Sequence, residues 1–96
     1  MVRGAWTSPS RASVESALRE EGLEPRVWGN GPGDVYAPHA HPQHKVLVCV
    51  AGGIVFHTAD GDLVLEAGDR LELPPLVEHG ATVGRQGVQC VEAYRL

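Results

Sequence analysis

The sequence predicts an all-β domain preceded by one short helix. Two observations carry that expectation. After Gly22, short apolar segments alternate with turn signals: Asn30-Gly31-Pro32-Gly33, Ala51-Gly52-Gly53, Asp60-Gly61-Asp62, Gly68-Asp69, Pro74-Pro75 and Gly84-Arg85-Gln86-Gly87. Turns at this density fit a small sandwich or barrel. Apolar residues make up 43% of the chain but aromatic ones only 5%, so Val, Leu and Ile must fill the core, which favours strands. A chain of 96 residues supports one small core and no second domain.

Taken in order, residues 1–12 have no periodicity and are expected to form a loose arm. Ser13 is the expected N-cap of a short helix, with Val14, Ala17 and Leu18 on its apolar side and Gly22 as the stop. The chain thus divides into an arm and helix at 1–25 and a β barrel at 26–96. Segments 54–58 and 63–66 flank Ala59-Asp60-Gly61-Asp62 and read as a hairpin. Segment 46–50 is apolar at every position, so both of its faces should be covered.

Charge narrows the partners. The net charge is −4, and all of it falls after residue 30, where Lys45, Arg70, Arg85 and Arg95 stand against eight acidic residues. No basic stripe offers itself to phosphates, so no nucleic-acid partner is expected. The longest apolar run, 46–56, is too short to span a bilayer, so no membrane partner is expected either. No signal peptide is visible. Two cysteines, Cys49 and Cys90, do not make a disulfide scaffold, and a cytoplasmic protein with reduced thiols is expected.

The chemistry sits in the histidines. Three of the five fall within Pro38-His39-Ala40-His41-Pro42-Gln43-His44. On a strand, residues two apart share a face, so His39 and His41 can aim two imidazoles at one point and share a metal. A third ligand must come from elsewhere. His79, after the strand-like segment 70–74, is the candidate.

The wider spacing carries a resemblance. Gly33 is followed after five residues by His39, then by His41 after one, Lys45 after three and Gly52 after six. Gly68 is followed after five residues by Pro74 and after four more by His79. Over roughly residues 26–95 this resembles the two motifs of the cupin superfamily, G(X)5HXH(X)3–4E(X)6G and G(X)5PXG(X)2H(X)3N. The resemblance implies a cupin-type jelly-roll β-barrel with a metal site inside it. The expected ligands are His39, His41 and His79. The ion is divalent, with zinc, iron, manganese, nickel and copper all open.

Three positions depart from those motifs. Lys45 stands where the motif has a metal-binding glutamate, Leu76 where it has a glycine, and Val83 where it ends in Asn. If Lys45 points inward, so do Leu47 and Cys49. If the register shifts by one, His44, Val46, Val48 and Val50 point inward instead, and His44 becomes a fourth imidazole. His57 reads as a surface or edge residue, Cys49 and Cys90 as core, and Glu78 as a solvated loop carboxylate. Tyr36, three residues before His39, should face away from it on a regular strand.

Two functions follow. The first is a small-molecule-binding module with a three-His divalent metal site. The second is a metal-dependent enzyme, a dioxygenase or isomerase acting on a small organic acid, thiol or sugar derivative. A neutral three-His set leaves the ion its full charge, which suits Lewis-acid chemistry or an anionic ligand. The resemblance also implies assembly, because many cupins pair sheet to sheet. The narrow helix stripe offers little cover to segment 46–50, and Trp6 and Trp28 need partners. A two-fold homodimer is therefore expected.

Overall fold

A computed structural model describes residues 1–95. The helix α1 runs Arg11–Glu20. Its N-cap is Ser10, three residues before the expected Ser13. The Ser10 hydroxyl accepts from the Ser13 amide at 3.1 Å, and the Ser13 hydroxyl accepts from the Ser10 amide at 3.2 Å. Two serines three apart can thus satisfy each other only if the upstream one is the cap. The far end matches expectation. Gly22, at φ 82°, donates to the Arg19 carbonyl, and Leu23 donates to the Leu18 carbonyl. This pair of hydrogen bonds closes the helix while Leu23 tucks beside Leu18. Among the described residues, no helix is long and apolar enough to cross a membrane.

The arm is pinned rather than loose. Val2 and Arg70 exchange both backbone hydrogen bonds, at 2.8 and 2.9 Å, and the Trp6 amide donates to the Gly68 carbonyl. Asp69, only 5% exposed, accepts from the Gly4 and Glu66 amides at 2.8 and 2.9 Å. A buried carboxylate must be so satisfied, and this one holds the arm against a turn.

Six strands follow: β1 Arg26–Asn30, β2 Val35–His39, β3 His44–Thr58, β4 Gly61–Glu66, β5 Arg70–Leu73 and β6 His79–Arg95. All pairings are antiparallel. β3 and β6 are long and pair along almost their whole length, His44 opposite Arg95 and Thr58 opposite His79. The early half of β3 also pairs β5, and its late half pairs β4 in the expected hairpin. β1 joins the late half of β6 and β2 the early half. The result is two four-stranded halves sharing two central strands, the double-sheet jelly-roll arrangement. The halves are not closed into a ring: β1 and β5 end one, β2 and β4 the other.

The strands bend where register shifts, between Cys49 and Ile54. Gly52 sits there at φ 70°, and a Cβ on it would stand 2.0 Å from the Gly87 carbonyl oxygen. Only glycine allows the two central strands to approach so closely. Gly68 has the same role under the arm, with the Trp6 carbonyl oxygen 2.4 Å from where its Cβ would be.

Two apolar clusters result. Leu47, Cys49, Ile54, Phe56, Leu65 and Leu71 are among those packed between the two halves, with Cys90 directly opposite Cys49. On the outer face, Val46, Val48, Val50, Val91 and Ala93 meet Val14, Leu18 and Leu23, with Trp6 alongside. Segment 46–50 is covered on both sides, as its composition required. The cover on the outer side is α1 of the same chain.

Candidate functional site

Strand alternation decides the register question. Leu47 and Cys49 belong to the interior cluster, while Val46 and Val48 belong to the outer one, so Lys45 points inward and His44 outward. The expected fourth imidazole is therefore not at the site. His44 Nε2 instead lies 2.9 Å from Glu72 Oε1, in a surface network that Arg70, Arg95 and Glu21 share.

The other three histidines converge. His39 comes from the end of β2 and sits opposite His79, the first residue of β6. His41 follows in the turn before β3. Their ring centroids are 5.1 Å (His39–His41), 4.6 Å (His39–His79) and 4.8 Å (His41–His79) apart. One ring nitrogen from each lies within 4.8 Å of the others. A tetrahedral ion with bonds of about 2.0–2.1 Å draws its nitrogens to about 3.4 Å, a small rotation away.

Hydrogen bonding decides which nitrogens face the centre. His39 Nδ1 is 3.0 Å from the Ala37 carbonyl oxygen, and His79 Nδ1 is 3.0 Å from that of Val77. A carbonyl only accepts, so each Nδ1 carries the proton and each Nε2 keeps its lone pair. Metal-binding histidines are commonly oriented in this way. Burial pushes the His41 imidazole below its ordinary range, helped by repulsion between its charged form and those of His79, Lys45 and His39. Burial does the same to His79, against the Val77 carbonyl. Both rings are therefore neutral at neutral pH, the form that can bind a cation. The donor set fits a divalent ion with open positions.

Beside the cluster lies a cavity of about 230 Å³. His39 and His79 form one end; Trp28, Tyr36, Phe56 and Lys45 contribute walls. Lys45 Nζ is 2.6 Å from Glu92 Oε2 and 5.7 Å from the centre of the Trp28 ring. The side chains of Lys45 and Glu92 are 13% and 16% exposed. The two form a close ion pair, and Glu92 Oε2 has no other polar partner.

Tyr36 corrects the sequence reading. The pairing of β2 with β6 shifts between Tyr36 and His39, so an irregular backbone puts both on the cavity. The Tyr36 hydroxyl donates to Asn30 Oδ1. Trp28 likewise packs inward, edge-on to Tyr36, instead of seeking an outside partner. Glu92 was missed altogether. Its signal was available: on a strand, Glu92 shares a face with the apolar Val88 and Cys90. His57 lies on the outer surface as expected, between Asp62 and Thr82. Glu78 is exposed, and both cysteines are buried in the core.

Comparison with known proteins sets this geometry in context. The family model of the AraC-like ligand binding domain matches residues 9–90. A structure of the DMSP lyases RdDddP and RnDddQII is 28% identical, with a TM-score of 0.71 over 77% of this chain and 38% of that one. An RmlC-like cupin from Shewanella frigidimarina is also 28% identical, with a TM-score of 0.66 over 75% of this chain and 64% of that one. An uncharacterised conserved protein with a double-stranded β-helix domain from Klebsiella pneumoniae is 28% identical, with a TM-score of 0.64. It covers 75% of this chain and 65% of that one. The chain thus spans less than two thirds of each of these relatives. No curated protein matches it.

Proposed function

Because this chain belongs to the AraC-like ligand-binding domain family, within the cupin superfamily, we propose that it is a small-molecule-binding module built on a divalent metal held by His39, His41 and His79. The single observation that carries this reading is the convergence of the three imidazoles, two of them with Nδ1 fixed on a backbone carbonyl. A bound ion would supply a positive charge and open coordination positions beside the cavity. This chain's own residues would orient the ligand and limit its size.

The test is metal analysis of protein purified without added metal, repeated on the His39→Ala, His41→Ala double variant. About one divalent ion per wild-type chain and none in the variant is the expected result. Equal metal in both sinks the reading.

A second reading is an enzyme acting on a small organic acid, thiol or sugar derivative. It draws support from Lys45, Glu92 and Tyr36 beside the cluster, and from the DMSP lyases among the similar structures. Turnover of such compounds by metal-loaded protein, including oxygen uptake with thiols and diketones, separates the two readings. A cytoplasmic location belongs to the same proposal and agrees with two unbridged buried cysteines. So does a two-fold homodimer, now on a surface other than the one α1 covers. Val35, 72% exposed on the outer strand β2, is apolar surface available to it.

A further inference from the structure

We propose that the cavity beside the three histidines takes a short-chain monocarboxylate, anchored by Lys45, and that Glu92 is the internal competitor the ligand displaces from that lysine. The proposal rests on the metal-binding reading above and adds the class of ligand.

Charge is the first ground. Lys45 and Glu92 are the only charged side chains among the described residues lining the cavity, apart from the histidines, and they cancel each other. The imidazole donors bring no negative charge, so a divalent ion there keeps both of its positive charges. A ligand that brings one carboxylate is attracted by the ion and by an ammonium group on the same wall.

The second ground is the Lys45–Glu92 contact itself. It is short and largely buried, and Lys45 is the one polar partner that Glu92 Oε2 has. A buried charge pair repays its desolvation only when further hydrogen bonds satisfy both groups, so its net contribution is small. A carboxylate entering from the cavity offers Lys45 a second acceptor of the same charge.

Size and wall chemistry give the third ground. At about 230 Å³ the cavity suits a small ligand. Phe56, Ala81 and Trp28 supply an apolar side for a short hydrocarbon body. A sugar would need many hydroxyl partners. Of the polar groups on the wall, the Tyr36 hydroxyl and Asn30 Oδ1 are already bonded to each other and Lys45 to Glu92, which leaves Trp28 Nε1 as a buried donor without a partner.

The test titrates zinc-loaded protein, in a Trp6→Phe background, and follows the fluorescence of Trp28 in the cavity wall. The probes are acetate, butyrate, decanoate, the neutral isostere butyramide, and glucose. Zinc content is measured on the same samples. Butyrate should bind best; acetate is weaker for want of apolar contact, and decanoate is too large. Butyramide and glucose should bind at least tenfold more weakly.

Glu92→Gln should tighten butyrate several-fold by removing the competitor. Lys45→Met added to Glu92→Gln should weaken it at least tenfold relative to Glu92→Gln alone, with zinc unchanged. Both variants lack an orphaned buried carboxylate, so they differ mainly in the ammonium group. A merely structural pair would give weaker binding in both. Weaker butyrate binding in Glu92→Gln, equal affinity in the two variants, or glucose binding ahead of butyrate overturns the proposal.

If the protein takes no zinc, the metal reading falls by itself. Butyrate titration of the metal-free variants then decides the ligand class: Lys45-dependent binding supports it, and no binding overturns it.

Discussion

The Leu76 amide donates to the His41 carbonyl oxygen at 2.8 Å. One motif segment is thereby tied to the other at the mouth of the histidine cluster. Leu76 is also the one non-glycine residue, among those described, with a left-handed backbone, at φ 64°. Its side chain is 73% exposed, so packing does not compensate for the strain. Leu76→Gly is expected to stabilise the protein by about 1 kcal/mol, raising Tm by roughly 4–8 °C. Leu76→Pro removes the amide proton and forbids the conformation, so it should destabilise and weaken metal retention together. Thermal melts of both variants check this; a lower Tm in Leu76→Gly refutes the strain account.

The histidines divide by position. His39→Ala, His41→Ala and His79→Ala should each weaken divalent metal binding by more than about 100-fold, since loss of an outer-shell partner alone costs 10–100-fold. His44→Ala should leave metal binding unchanged, because that ring faces Glu72 on the outside. Competition with a chromogenic chelator measures all four. Weakened binding in His44→Ala would return it to the site.

Gly52 and Gly22 both have positive φ, but only Gly52 has a neighbour where a Cβ would go. Gly22→Ala should cost about 1 kcal/mol of backbone strain. Gly52→Ala adds a collision with the Gly87 carbonyl and should cost at least about 3 kcal/mol, or prevent folding. Urea denaturation of both separates strain from collision. Equal losses would mean that the central strands can move apart at the bend.

Acid should loosen the junction of α1 with β5. The Glu21 carboxyl is held below its ordinary range by hydrogen bonds from Arg70, against the opposing effect of burial. A carboxylate lowered on folding stabilises the fold above its unfolded value, and that contribution is lost as pH falls through its folded value. The wild-type urea midpoint should therefore fall between roughly pH 6 and pH 3, in part through this pair. Arg70→Met should show a smaller fall over the same range. An identical pH profile in the variant would show that the pair contributes nothing, as exposed ion pairs often do.

Sedimentation equilibrium addresses assembly. A two-fold homodimer sediments at twice the 10.2 kDa chain mass. Val35→Lys on the outer strand should shift it towards the monomer without lowering Tm. A mass of one chain at high micromolar concentration removes the dimer from the proposal.

The fold was legible because turns at Gly33, Gly52 and Gly68 fall at motif distances and because Leu18-to-Gly22 ends a helix in a standard way. The metal cluster was legible because an HxH pair on an extended segment must share a face. The direction of Lys45 was not. Segment 46–50 is apolar at every position, so it lacks the alternation that would have fixed which face is inward. Nor was the inward turn of Tyr36, which depends on a pairing irregularity between distant strands. Asp69 gave little warning because a carboxylate in a Gly-Asp turn looks solvated until the arm is seen to bond to it.

β3 and β6 each belong to both halves of the jelly roll, and this affects how the chain can be made. β3 is complete at Thr58, but its central partner ends at Arg95. On a ribosome adding about 5–20 residues per second, the valine-rich segment 46–50 emerges roughly two to nine seconds before β6 is complete. Its α1 partner is already out, but one helix edge cannot replace a strand. During that interval β5 can cover one edge of the segment, but the edge that β6 will take stays open, the form most prone to stick to other chains. Chaperone demand should therefore concentrate on this window of synthesis.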